Sequence, residues 1–137
     1  MRSPFLLDTC AAMWIVSGEI PQQAADALSE ARVAGLLAYV SPITAWEVGM
    51  LASKGRFRSP YTPQRWFEQL MSKSDTELAE LSPKVLLESS FLPGNLHRDP
   101  ADRIIAATAR EFGFTVMTRD GPLLDYAAQG YLSVIEC

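Results

Sequence analysis

The stretch Phe5-Leu6-Leu7-Asp8-Thr9-Cys10-Ala11-Ala12-Met13-Trp14-Ile15-Val16 decides the fold. Its first three residues form a continuous apolar run, which suits a strand buried on both faces of a parallel sheet. An acid ends that run, and Ala11–Val16 is compatible with a helix that Ser17-Gly18 stops. Asp8 is the only charged residue between Arg2 and Glu19. A carboxylate in such surroundings is costly unless it is paired, hydrogen-bonded or bound to a cation. Capping of the helix through the Thr9–Ala11 amides is one role for it, and cation binding is another; the two can coexist.

The strand–acid–helix pattern recurs outward from there. A helix is expected over Gln22–Val33 behind Pro21, a strand over Leu37–Val40, and a helix to about Ser53 with Ser41 as N-cap and Pro42 in its first position. Residues 54–63 read as a loop, Arg65–Ser72 as a helix, Thr76–Leu81 as a strand, and Ser82-Pro83 as the start of a helix to about Phe91. Pro93-Gly94-Asn95 breaks the chain, and Asp99-Pro100 opens a helix ending near Phe112-Gly113. Phe114–Met117 is a strand, Pro122–Gln129 a short helix and Leu132–Ile135 a last strand. Alternation of this kind predicts an α/β fold, with a mainly parallel central sheet and helices on both faces. The 137 residues suit one domain, taken as 1–137.

Composition narrows the function classes. The chain is 48% hydrophobic and 20% charged, ordinary values for a globular protein with a core. No apolar stretch approaches the roughly 20 residues that span a bilayer. Asp8 comes too early for a secretory leader beginning at Met1, so a cytoplasmic location is expected. Cys10 and Cys137 have no zinc-type spacing and are expected to be free thiols, Cys10 buried and inert in its apolar run. The net charge of −4 argues against broad electrostatic adhesion to nucleic acid. Arg56, Arg58 and Arg65 could form a local basic patch or simply a solvated surface.

Three further acids stand out. Glu47 is the sole charge between Leu37 and Ser53, in a helix that is apolar nearly all the way round and therefore expected to be buried. Asp99 and Asp102 share one side of the first turn of their helix, where both also suit capping and the positive end of the dipole. Asp120 follows an apolar strand and precedes Gly121, an ordinary turn pair. In parallel α/β folds ligands bind beyond the carboxyl ends of the strands, so these acids can converge there with Asp8. Carboxylates brought together repel one another, and a hard divalent ion such as Mg²⁺ or Mn²⁺ relieves this. Such ions serve phosphodiester hydrolysis. With His97 as the one histidine, a two-histidine ribonuclease or a multi-histidine zinc site is excluded, and His97 reads as a surface or supporting residue. A receiver-type module would need a late lysine, but Lys54, Lys73 and Lys84 are the only ones. A haloacid-dehalogenase-type phosphatase would need an acid where Cys10 stands.

The segments LLDT (6–9), SPITAWEVGML (41–51), HRDPADRIIAATA (97–109) and VMTRD (116–120) resemble, in order and spacing, the acidic motifs of PIN-domain proteins, in particular VapC-like toxins. The resemblance runs from Leu6 to about Ile135. It implies a three-layer α/β/α fold and a metal-dependent endoribonuclease, with Asp8, Glu47, Asp102 and Asp120 as the four acids holding Mg²⁺ or Mn²⁺. It implies supporting roles for Asp99, Thr9 and Thr118, an RNA substrate, a cognate antitoxin and a homodimer. Gly121-Pro122-Leu123-Leu124-Asp125 departs from the family's usual continuation, so Asp125 competes with Asp120 for the fourth position. A non-catalytic PIN-like binding domain is the alternative.

Overall fold

The computed structural model describes residues 3–137; Met1 and Arg2, part of the leader argument, lie outside the described residues. Five strands, β1 (Phe5–Leu7), β2 (Ala38–Val40), β3 (Thr76–Leu78), β4 (Thr115–Thr118) and β5 (Val134–Glu136), form one sheet in the order β3-β2-β1-β4-β5, with every pairing parallel. The helices between them are α1 (Thr9–Ser17), α2 (Gln22–Val33), α3 (Ile43–Ser53), α4 (Pro63–Met71), α5 (Pro83–Glu88), α6 (Pro100–Phe112) and α7 (Gly121–Ala128).

Strand alternation builds the layers. Phe5, Leu7, Val40 and Met117 join Ala11, Ala12, Ala24, Trp66 and Leu70 in one core, which seats α1, α2 and α4. Leu6, Tyr39, Val116 and Val134 face the other way, onto Ile105 and Ala109 of α6. The register Leu6↔Tyr39 and Leu6↔Val116 keeps each set on one face. The result is the expected α/β/α arrangement. Small residues let the helices sit close: Ala11 and Ala12 of α1, and Ala106, Ala107 and Ala109 of α6, are all buried. Gly18 and Gly113 end α1 and α6 at φ 81° and 73°, where a side chain would be strained.

Several boundaries differ from the sequence reading. The strands at 76 and 134 cover three residues each, shorter than or shifted from the expected runs: the first pairs along the three residues of β2 and the second along the last three of β4. At α3 the N-cap is Pro42, and Ser41 acts one step earlier, accepting the Ile43 amide on its hydroxyl at 3.1 Å. Helix α5 stops at Glu88, three residues before Phe91.

Two expectations about burial are corrected. Cys10 is exposed, not buried: α1 turns Ala11 and Ala12 to the sheet, and the second residue of the helix is left on the open side. Helix α3 is not buried all round either. It packs on α1, α4 and α6 along one face that buries Thr44 and Val48, while Trp46 and Met50 remain 52% and 37% exposed.

Candidate active site

The strand order reverses direction between β1 and β4, so the loops leaving their carboxyl ends diverge and open a crevice. Asp8 leaves β1 and Thr118-Arg119-Asp120 leave β4 at that point, and the Asp8 amide donates to the Met117 carbonyl across the pair at 3.1 Å.

Asp8 is 5% exposed. Its Oδ1 accepts the Ala11 amide at 2.8 Å and so caps α1, while its Oδ2 accepts the Thr118 hydroxyl. Thr118 in turn accepts the Asp120 amide at 2.9 Å, tying the two acids through one hydroxyl. Asp120 caps α7 by accepting the Leu123 amide at 3.1 Å, and Asp99 caps α6 by accepting the Ala101 and Asp102 amides at 3.0 and 3.3 Å. Three helix N-termini thus carry acids whose capping and site-facing roles coexist, and their dipoles favour negative charge there.

Glu47 reaches the same region from α3. Thr9 donates its hydroxyl to Glu47 Oε1 and sits 3.1 Å from the Thr44 hydroxyl. Asp102 Oδ2 meets His97 Nε2 at 2.7 Å. Candidate ligand atoms of His97, Asp102 and Asp120 all lie within 4.8 Å of one another. Asp8 and Glu47 stand outside that tight trio, yet electrostatic influence links all of them. Asp120 acts on Asp8, on Glu47 and on Asp102, and Asp99 acts on Glu47 and Asp102. Asp125, further along α7, is not among the leading influences on these acids.

Burial raises the Asp8 carboxyl above its ordinary range against the pull of Thr118, and it raises Glu47 against the pull of Thr9. Asp102 is pushed up to about 7, first by burial and then by the charges of Asp120 and Asp99, with His97 opposing. Oxygen donors whose ionised forms are disfavoured by burial and mutual repulsion are the donor set that a hard divalent cation fits. Asp8, Glu47 and Asp102 meet that test, and Asp120 is a charge that acts on all three.

Sequence reasoning missed two residues. Arg103 donates to the carbonyls of Ser89, Leu96 and His97 at 2.8, 2.9 and 3.4 Å, and so fixes the segment that brings His97 to Asp102. Nothing in residue spacing signals those carbonyls. Thr44 lies three residues before Glu47 on the same helix face, and a hydroxyl there was a readable signal. Arg56, Arg58 and Arg65 are exposed, and Arg65 lies 3.8 Å from Glu68.

Thr118→Val keeps the shape and removes the hydroxyl, leaving Asp8 Oδ2 and the Asp120 amide without their partner. We expect a loss of about 10–100-fold in activity or metal affinity and of about 1–3 kcal/mol in stability. Metal titration and chemical denaturation of the purified variant check both.

Comparison with known proteins gives a consistent picture. Residues 5–129 match the model of the PIN domain. The chain is 34% identical over 115 residues to Ribonuclease VapC22 of Mycobacterium tuberculosis, an alignment covering 84% of this chain and 85% of that protein. Among solved structures it is similar to VapBC2 of Rickettsia felis bound to a promoter DNA fragment, with a TM-score of 0.68, 17% identity and coverage of 96% and 97%. It is also similar to DNA-bound VapBC of Salmonella typhimurium, with a TM-score of 0.68, 18% identity and coverage of 98% of both chains.

Proposed function

Since the chain belongs to the PIN-domain family, we propose that it is a divalent-metal-dependent endoribonuclease and the toxin half of a toxin–antitoxin pair. The observation that carries this reading is the gathering of buried and half-buried acids at the β1/β4 crevice, their pKa values raised as an ion would relieve.

In this reading Asp8, Glu47, Asp102 and Asp120 hold the ion, Mg²⁺ or Mn²⁺. The coupling of Asp120 to the other three supports it over Asp125 as the fourth acid. When bound, the ion supplies Lewis-acid activation of water and offsets charge developing on the phosphoryl oxygens. The chain's own residues set the geometry. Thr118 fixes Asp8 and Asp120 relative to each other, Thr9 orients Glu47, and His97 orients Asp102. Asp99 holds the start of α6 and adds negative charge beside Glu47 and Asp102.

The proposed partners are RNA as substrate, a cognate antitoxin and a second copy of the chain, with the whole chain acting as a single domain in the cytoplasm. No helix among the described residues is long and apolar enough to cross a membrane. Exposed apolar side chains on α3 (Trp46, Met50) and on α5 and the turn after it (Leu86, Leu87, Phe91) support pairing with a copy, since both helices pack against α6. Partner-free protein incubated with a panel of structured RNAs tests the function. Cleavage with Mg²⁺ or Mn²⁺ that EDTA abolishes is expected, and metal binding without cleavage of any RNA would favour a binding domain.

A further inference from the structure

An acid-lined crevice on a chain of net charge −4 repels a polyanion, so something local must hold the nucleic acid. The groups closest to that task lie between two residues of the site itself. Arg119 follows Thr118 and precedes Asp120, and it is exposed. Its guanidinium carbon sits 4.6 Å from the centre of the Trp14 ring, a cation–π stack across from the loop after β4 to α1. Among the described residues no carboxylate pairs with it within 4 Å. The same guanidinium bears on Cys10 and on Cys137, whose amide bonds the Thr118 carbonyl at 3.0 Å. That places its charge on the rim where β1 and β4 end.

An arginine held over an indole face is preorganised. Its planar fork keeps its donors at the edge, available to the oxygens of a phosphate. The half-buried Trp14 adds an aromatic body beside the path, a surface suited to an unpaired base. The crevice acids hold no such donors.

We propose that Arg119, stacked on Trp14, grips a backbone phosphate of single-stranded RNA adjacent to the one cut and so sets where the strand lies across the acids. This rests on the ribonuclease reading above and adds to it the contact that overcomes repulsion by the site. Arg119 is a binding and positioning residue, separate from the acids that do the chemistry.

The test uses the full chain. Binding of a fluorescently labelled, mixed-sequence single-stranded RNA is followed by anisotropy over a salt series in the cleavage-impaired Asp8→Asn background. Cleavage kinetics are measured in the otherwise unaltered protein. Arg119→Ala should weaken binding about tenfold and reduce the slope of log affinity against log salt by about one. In cleavage, KM should rise by about the same factor with kcat changed less than about threefold. Arg119→Lys should keep the salt slope and bind more weakly than arginine, and Trp14→Ala should give an intermediate loss. Thermal unfolding of each variant checks that the fold is kept.

Unchanged RNA affinity and salt slope in Arg119→Ala, beside a parent protein that cuts RNA, would overturn the proposal and leave the ribonuclease reading standing. The same would follow if that variant lost affinity for a protein partner while binding RNA normally. A parent protein that cuts no RNA with any divalent ion would overturn the ribonuclease reading itself, and this inference with it.

Discussion

Asp8→Asn should fold as well as the parent and lose RNA cleavage by well over 100-fold. The replacement keeps size and one carbonyl oxygen, so the Ala11 amide keeps its acceptor, while the new side-chain NH2 can donate to the oxygen of the Thr118 hydroxyl, which in the parent donates to Asp8. It removes a charge that burial already disfavours, so the metal-free protein should not be destabilised. A partner lying one bond outside a metal's ligands typically costs about 10–100-fold when removed, and a direct ligand should cost more. Cleavage assays in Mg²⁺ and Mn²⁺, with unfolding curves on the same preparations, separate chemistry from folding. Cleavage at the parent's rate would remove Asp8 from the site.

The second large effect couples metal, pH and stability. In the folded chain Asp102 titrates near 7, and Asp8 and Glu47 also stand above their ordinary values. A carboxyl whose folded pKa exceeds its unfolded one binds more protons when folded, so folding stability falls as pH rises between the two values. For Asp102 that window runs from its ordinary 3.8 to about 7. Metal-free protein should therefore carry a growing penalty over that window as the acids ionise together. A divalent ion reverses it by binding the ionised forms. At a hundredfold excess over Kd the ion adds about 2.7 kcal/mol, roughly 8–10 °C in Tm for a chain of this length. Calorimetry with and without Mn²⁺ should show that gain at pH 8 and a smaller one at pH 5.5. Asp102→Asn should flatten much of the metal-free pH dependence. A metal-induced gain that is the same at both pH values would contradict this account.

The architecture was readable in the sequence because it rests on patterns that neighbours along the chain impose. The apolar run before Asp8, the Pro21 start of α2 and the Asp99-Pro100 start of α6 each specify an element locally, and α2 spans the expected Gln22–Val33. What spacing could not carry was contact between distant segments. The exposure of Cys10 follows from which side of α1 the two buried alanines take, and the exposure of Trp46 and Met50 from which helices flank α3. The clamp by Arg103 depends on three carbonyls placed by an irregular loop, and the Arg119–Trp14 stack on two segments more than a hundred residues apart. Asp8 and Glu47 were visible as charges isolated in apolar surroundings, and Asp102 and Asp120 only by their places at a helix start and after a strand. Their hydroxyl supports, Thr9 and Thr118, came from motif resemblance, and the hydrogen bonds to Glu47 and Asp8 give each a physical role.

The account stands on one physical event, the capture of a divalent cation by acids drawn from the end of β1, from α3 and α6, and from the loop after β4. Anomalous scattering from crystals grown with Mn²⁺ observes it directly. The expected result is a manganese peak in the crevice, with oxygens of Asp8, Asp102 and Asp120 at about 2.0–2.2 Å or joined to it through water. A protein saturated with Mn²⁺ whose peaks lie away from those carboxylates would contradict it.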